Sequence, residues 1–157
     1  MKQPMPISMS SIGNIWTEIG DEDVSRKRRE IVSSITIFDE FSEGLTGIEH
    51  YSHLFVLFWM HRVAPKHSML SHPRGDPAIP LTGVFASRGP RHPNPIGLAV
   101  VELMDRNETT LKVRRLDAYN GTPVLDIKPY DHYDVFPDIK VPKWFHTRAM
   151  ARNADLG

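Results

Sequence analysis

Four hydrogen-bond donors, Arg88, Arg91, His92 and Asn94, fall within one stretch, Gly83-Val84-Phe85-Ala86-Ser87-Arg88-Gly89-Pro90-Arg91-His92-Pro93-Asn94-Pro95-Ile96-Gly97-Leu98, that contains no acid. Pro90, Pro93 and Pro95 fix φ at their own positions and hold the preceding residues extended. Gly89 and Gly97 flank them as permissive points. A chain stiffened in this way loses little entropy when something binds to it. Convergent donors on a rigid backbone make a site for an anionic or polar ligand. The same residues also fit a proline-stiffened connector whose arginines are simply solvated. The residues alone leave both readings open.

Other groups carry less. His61, His67 and His72 are separated by six and five positions, a spacing without a known metal-ligand pattern, and no cysteine assists them. No metal site is expected. The absence of cysteine also removes a disulfide framework, a thiolate site and a cysteine nucleophile. His50 and His53 read as surface or satisfied polar residues. Arg26-Lys27-Arg28-Arg29 lies beside Asp21, Glu22, Asp23 and Glu30, the composition of a solvated loop, although such a run can also meet phosphates.

The elements that must position these groups read as strands. Residues 12–16, 35–38, 54–60, 82–86, 98–103, 109–116 and 124–127 are apolar or β-branched over strand lengths. Residues 54–60 form an unbroken apolar run, which predicts a strand covered on both faces. Met104-Asp105-Arg106-Asn107-Glu108 is a polar turn that makes a hairpin of its flanking strands, and Asn120-Gly121 is a second turn signal. Six or seven short strands at this spacing predict a small antiparallel barrel or a sandwich. Helix is scarce: a turn or two near residues 41–51, weakened by Gly44 and Gly47, and a C-terminal helix opened by Pro142 over residues 143–150. Thirteen prolines in 157 residues disfavour a helical bundle.

Nineteen Lys and Arg balance nineteen Asp and Glu, which argues against a bulk polycation wrapping nucleic acid, so no DNA partner is expected. The zero is a sum of opposed parts. Residues 61–93 hold Arg62, Lys66, Arg74, Arg88 and Arg91 against Asp76, and residues 140–152 hold Lys140, Lys143, Arg148 and Arg152 with no acid. A basic face around the proline-rich stretch and the terminal helix is the expectation. No apolar run reaches the roughly 18 residues of a membrane span. The N-terminus lacks the pattern of a signal peptide, so a cytoplasmic single domain is expected.

The proline-rich stretch resembles the signature of the TsaA-like or TrmO family of tRNA methyltransferases, close to G-V-F-A-T-R-S-P-x-R-P-N-P-I-G-L, departing from it only at Ser87, Gly89 and His92. A second family block, D-G-T-P-V-L-D-I-K-P-Y, is similar to residues 120–130, with Asn120 in place of Asp. The order of elements agrees over residues 10–137. Where the family often carries Pro-Arg-Gln, this chain has Asp23-Val24-Ser25. The resemblance implies an all-β fold, a single-sheeted antiparallel β-barrel of six to seven strands, spanning residues 10–137. A flexible N-terminus (1–9) and a C-terminal helical extension (138–157) flank it. It implies a homodimer that binds S-adenosylmethionine (SAM) and methylates N6 of threonylcarbamoyl-adenosine beside the anticodon of tRNA.

Carried over by position, the resemblance places the cofactor contacts at His61, Arg62, Arg88, Leu98, Tyr119, Asn120, Gly121 and Thr122. The acceptor nitrogen must give up a proton at some stage, and Asp126 and Tyr130 are the candidate acceptors. Asp126 in Val-Leu-Asp-Ile can equally anchor Lys128 or a turn amide. Trp144 and Phe145 could stack on a base or pack the terminal helix onto the barrel or a second subunit. Two alternatives stand beside this reading: a methyltransferase acting on another RNA or a small molecule, and a non-catalytic barrel that binds SAM or RNA.

Overall fold

The computed structural model describes residues 4–24, 27–64 and 68–146. Among these, eight strands follow along the chain: β1 (Gly13–Thr17), β2 (Val32–Ile37), β3 (His53–Trp59), β4 (Leu70–Ser71), β5 (Thr82–Gly83), β6 (Ile96–Asn107), β7 (Thr110–Arg114) and β8 (Thr122–Pro129). Six of them close into a barrel in the order β1-β2-β7-β6-β3-β8, every neighbouring pair antiparallel. Closure removes the exposed edges that an open sheet of this size would present. β4 and β5 form a separate ribbon. The expected strand over residues 82–86 is thus only Thr82–Gly83, because Val84–Ala86 turns into a 3₁₀ helix.

Period-two alternation builds the core. Ile15, Ile35, Ile37, Leu54, Val56, Phe58, Ala99, Val101, Leu111, Val113 and Val124 are buried inside the barrel. Phe55, Leu57 and Trp59, the alternate residues of β3, are only half-buried, so the strand has one covered face rather than two. Its outer side carries apolar residues that the described residues cover only in part.

The barrel has two ends. At one, the 3₁₀ helices Asp39–Leu45 and Ile48–His50 fold across the opening and place buried Leu45 on the core. Gly47, at φ 84°, makes the break between them. Arg106 ties this plug to the β6–β7 hairpin, donating to the Leu45 carbonyl at 2.8 Å and to Glu49 at 3.0 Å. The Glu49 carboxyl is held below the usual carboxylate range by its own backbone N–H and by Arg106. The other end gathers the C-termini of β1 and β3 and the N-termini of β6 and β8. A short helix, α1 (Asp21–Val24), caps that side and buries Val24.

A helical turn covers residues 143–146. The rest of the expected C-terminal helix, with Arg148 and Arg152, lies outside the described residues, as do Arg26, Lys66 and His67. Among the described residues no helix is long and apolar enough to cross a membrane.

Candidate functional site

The rim at the second end is held by its own side chains. The Tyr119–Thr122 turn needs a left-handed residue, and Gly121 supplies it at φ 75°. Gly121 N–H donates to the Ile15 carbonyl at 2.8 Å, and the Asn120 side-chain oxygen accepts the Thr17 N–H at 2.5 Å. The turn is thereby stitched to the end of β1. An amide oxygen accepts as a carboxylate oxygen does, so Asn at this position keeps an acceptor for Thr17 without the charge.

Arg62 closes the rim from the other side. Its guanidinium pairs with Asp21, donates to the Asn120 carbonyl at 3.3 Å and lies over the Tyr119 ring at 5.1 Å. His61 Nδ1 stands 3.5 Å from the Thr122 hydroxyl. The structure therefore brings six of the sequence-derived residues together: His61, Arg62, Tyr119, Asn120, Gly121 and Thr122. Inside the barrel beside buried Thr122, Thr17 and Ser33 are further buried polar residues, which composition gave no means of finding.

The proline-rich stretch stands beside this rim. Arg88 donates to the Leu98 carbonyl at 2.7 Å, closing the loop at its root. The Pro95 carbonyl accepts the Met60 N–H at 2.8 Å, one residue before His61. Neither Gly89 nor Gly97 has a positive φ. Gly97 is needed for a different reason: it faces Phe58 inside the barrel, and a Cβ there would overlap the buried ring. Arg88, Arg91 and Asn94 are exposed, and Arg91 has no hydrogen-bond or ion-pair partner among the described residues. A small cleft of about 230 Å³ opens between the loop and the end of β3, lined by Trp59, Arg91, His92 and Pro95 among others.

Asp126 reaches the outer face through a bulge. β8 pairs Asp126 with Leu57 but Val124 with Phe58, so Leu125 is an extra residue. Strict alternation from Val124 would have turned Asp126 into the core. The bulge instead sends Ile127 inward and Asp126 outward, in one cross-strand row with Leu57 and Leu98. At a strand spacing of roughly 4.8 Å, Asp126 and Leu98 stand about 10 Å apart. One Asp126 oxygen accepts the Ile127 N–H at 2.9 Å and the other pairs with Lys128 at 2.8 Å. Asp126 also lines a cleft of about 540 Å³ under the plug, with Ile12, Phe41 and Tyr51. Tyr130 lies past the end of β8, edge-on to Phe55 at 5.3 Å. Four residues of strand separate it from Asp126, roughly 13 Å, so the two candidate acceptors do not share one site.

Three other polar candidates have structural partners. His72 Nδ1–H donates to the Ile79 carbonyl at 2.6 Å, and His53 Nδ1 bonds the Ser52 hydroxyl at 2.9 Å. Arg28 pairs with Asp117 at 2.8 Å. Trp144 and Phe145 pack edge to face against each other.

The molecule is thus a closed six-stranded antiparallel barrel with a glycine turn, a histidine–arginine pair and a proline-stiffened cationic loop at one rim. The chain belongs to the tRNA-methyltransferase O N-terminal domain family, whose profile matches residues 23–135. It is similar to an S-adenosyl-L-methionine-binding protein of Archaeoglobus fulgidus, 46% identical over 110 residues that cover 69% of this chain and 77% of the relative. It is 37% identical to the rat (Rattus norvegicus) tRNA (adenine(37)-N6)-methyltransferase over 97 residues, 60% of this chain and 22% of that protein. The crystal structure of TrmO from Pseudomonas aeruginosa superposes with a TM-score of 0.70 at 31% identity, over 87% of this chain and 61% of that one. The chain spans 25% of the length of another Archaeoglobus fulgidus relative.

Proposed function

We propose that this chain is a SAM-dependent methyltransferase that acts on N6 of threonylcarbamoyl-adenosine next to the tRNA anticodon. The observation that carries the reading is the rim, where His61, Arg62 and residues 119–122 are interlocked beside the Arg88–Leu98 root of the cationic loop. The donor set fits SAM. Guanidinium and imidazole groups suit its carboxylate, the Leu98 side chain and the Tyr119 ring suit its adenine, and Gly121 leaves open space where a Cβ would stand. When bound, SAM supplies an activated methyl group on a sulfonium.

The chain's own contribution is to hold and orient. Methyl transfer is an in-line displacement, and fixing both partners at contact distance can supply most of the acceleration. A carboxylate fixed against the sulfonium would stabilise the ground state more than the transition state. The neutral Asn120 avoids this while its oxygen keeps β1 and the turn together. The loss of the family's Asp therefore gives no support to a non-catalytic barrel. For the proton released at N6, Asp126 is the better placed acceptor, because it shares the outer-face row of Leu98 while Tyr130 does not. This role requires Asp126 to exchange its Lys128 partner for substrate. A homodimer is part of the same reading: Ile96, Leu98 and Val100 beside Phe55, Leu57 and Trp59 make an apolar outer face that a second copy would cover.

The test is incubation with SAM and threonylcarbamoylated tRNA, followed by nucleoside mass spectrometry. A gain of one methyl on that nucleoside is expected. SAM binding without methylation of it, but with methylation of another RNA, would move the reading to a different acceptor.

A further inference from the structure

Phe85 is a large aromatic residue left 75% exposed in a loop that is otherwise tightly built. Its backbone is not mobile filler. Val84 N–H donates to the Met69 carbonyl at 3.0 Å, and the Val84 carbonyl accepts from both the Ser87 N–H and the Ser87 hydroxyl, each at 3.1 Å. The ring is fixed too. It packs edge-on to His92 at 5.8 Å and 70°, while His92 Nε2–H donates to the Ser87 carbonyl at 3.0 Å. An aromatic ring on a fixed backbone, with one edge contact to His92, is therefore presented to solvent.

The surroundings select the partner. Arg88 and Arg91 are exposed in the same loop, Arg74 is exposed at the turn between β4 and β5, and no acid occurs from Pro77 to Val101. An apolar protein surface would gain nothing from these guanidinium groups, which would be desolvated against it. A nucleotide satisfies both features: its base has a π-face for Phe85 and its phosphates have charge for the arginines.

We infer that Phe85, braced by His92, is the stacking platform for the methyl-accepting purine after it leaves the anticodon-loop stack, with Arg91 gripping a flanking phosphate. This rests on the tRNA reading above and adds the residue that would receive the base. Phe85 touches substrate and is otherwise dispensable to the fold, since its ring contributes nothing to the barrel core.

The experiment compares the full chain with Phe85→Ala, Phe85→Leu and Phe85→Trp. It reads methyl transfer to tRNA, SAM affinity, and the fluorescence of an anticodon stem–loop carrying 2-aminopurine at the acceptor position. Wild type should quench the probe, and Phe85→Ala and Phe85→Leu should not. Both should lose about five- to a hundredfold in kcat/KM for tRNA with SAM affinity unchanged, and Phe85→Trp should recover most of it. Wild-type methylation with no difference in Phe85→Leu overturns the platform and leaves the function standing. Phe85-dependent quenching without methylation keeps the platform and removes the methyltransferase reading. Unchanged quenching together with a loss of the dimer on sedimentation shows that Phe85 meets protein, and overturns the proposal.

Discussion

The rim turn at residues 119–122 and the proline-rich loop at residues 84–98 are both held in place, but the rim leans on side chains and the loop leans on proline. In the rim, side chains do the fixing. Asn120 accepts from Thr17, and Arg62 is occupied by Asp21, the Asn120 carbonyl and the Tyr119 ring. In the loop, three prolines and main-chain bonds do most of the fixing, helped by bonds from the Ser87, Arg88 and His92 side chains to loop carbonyls, while Arg91 and Asn94 stay exposed. A region whose side chains hold its own backbone couples ligand binding to stability. A region whose backbone is fixed by proline can change its side chains with little effect on the fold. The two regions therefore suit two tasks: a fixed cradle for a cofactor, and a surface of donors for a large polyanionic substrate.

Gly97 tests where the loop stops being independent of the core. Gly97→Ala places a Cβ against the buried Phe58 ring and should destabilise the barrel by about 1–3 kcal/mol in denaturant titrations. A neutral outcome would mean that Phe58 can turn aside and that the loop root is looser than its packing suggests. Asn120 tests the rim. Asn120→Ala leaves the Thr17 N–H without its acceptor and should lower stability by about 1–2 kcal/mol together with SAM affinity, whereas Asn120→Asp keeps the oxygen and should stay within about 0.5 kcal/mol. If the Asp variant is as unstable as the Ala variant, the oxygen is not what the rim needs. Arg91 tests the loop. Arg91→Ala should leave the thermal midpoint and SAM affinity in place and reduce the salt dependence of tRNA binding by about one charge. A shift in midpoint of several degrees would show that the loop, like the rim, is held by its side chains.

Much of this was legible in the residues. β3 and the β6–β7 hairpin announce themselves through apolar runs, although Met104–Asn107 continues β6 and the turn falls at residues 108–109 and not across the whole polar stretch. Asn120-Gly121 marks a turn because Gly121 takes φ 75° without strain. Local pattern could not show which faces would be covered. The unbroken run of β3 reads as buried on both sides, yet its outer residues Phe55, Leu57 and Trp59 are only half-buried. Nor could it show the extra residue at Leu125, which decides whether Asp126 faces core or surface, since a bulge depends on the partner strand and not on the residue itself. The Gly97 signal was real and its cause was different: the need is for space beside Phe58, a contact across the barrel wall. Phe85 carried no sign of exposure, because an aromatic residue in an apolar segment reads as core until the 3₁₀ turn is seen.

The central claim is that the rim and the root of the loop form one SAM site. Calorimetric titration of SAM into wild type and Arg88→Ala tests it most directly, because Arg88 joins the loop root to Leu98 and its loss leaves the barrel core untouched. The expected result is one SAM per chain in wild type and an affinity at least about tenfold weaker in Arg88→Ala, as loss of a charge-assisted contact of roughly 1.5–3 kcal/mol implies, with the thermal midpoint of the free protein unchanged. Equal affinity in the two proteins, or no binding to wild type, would contradict it.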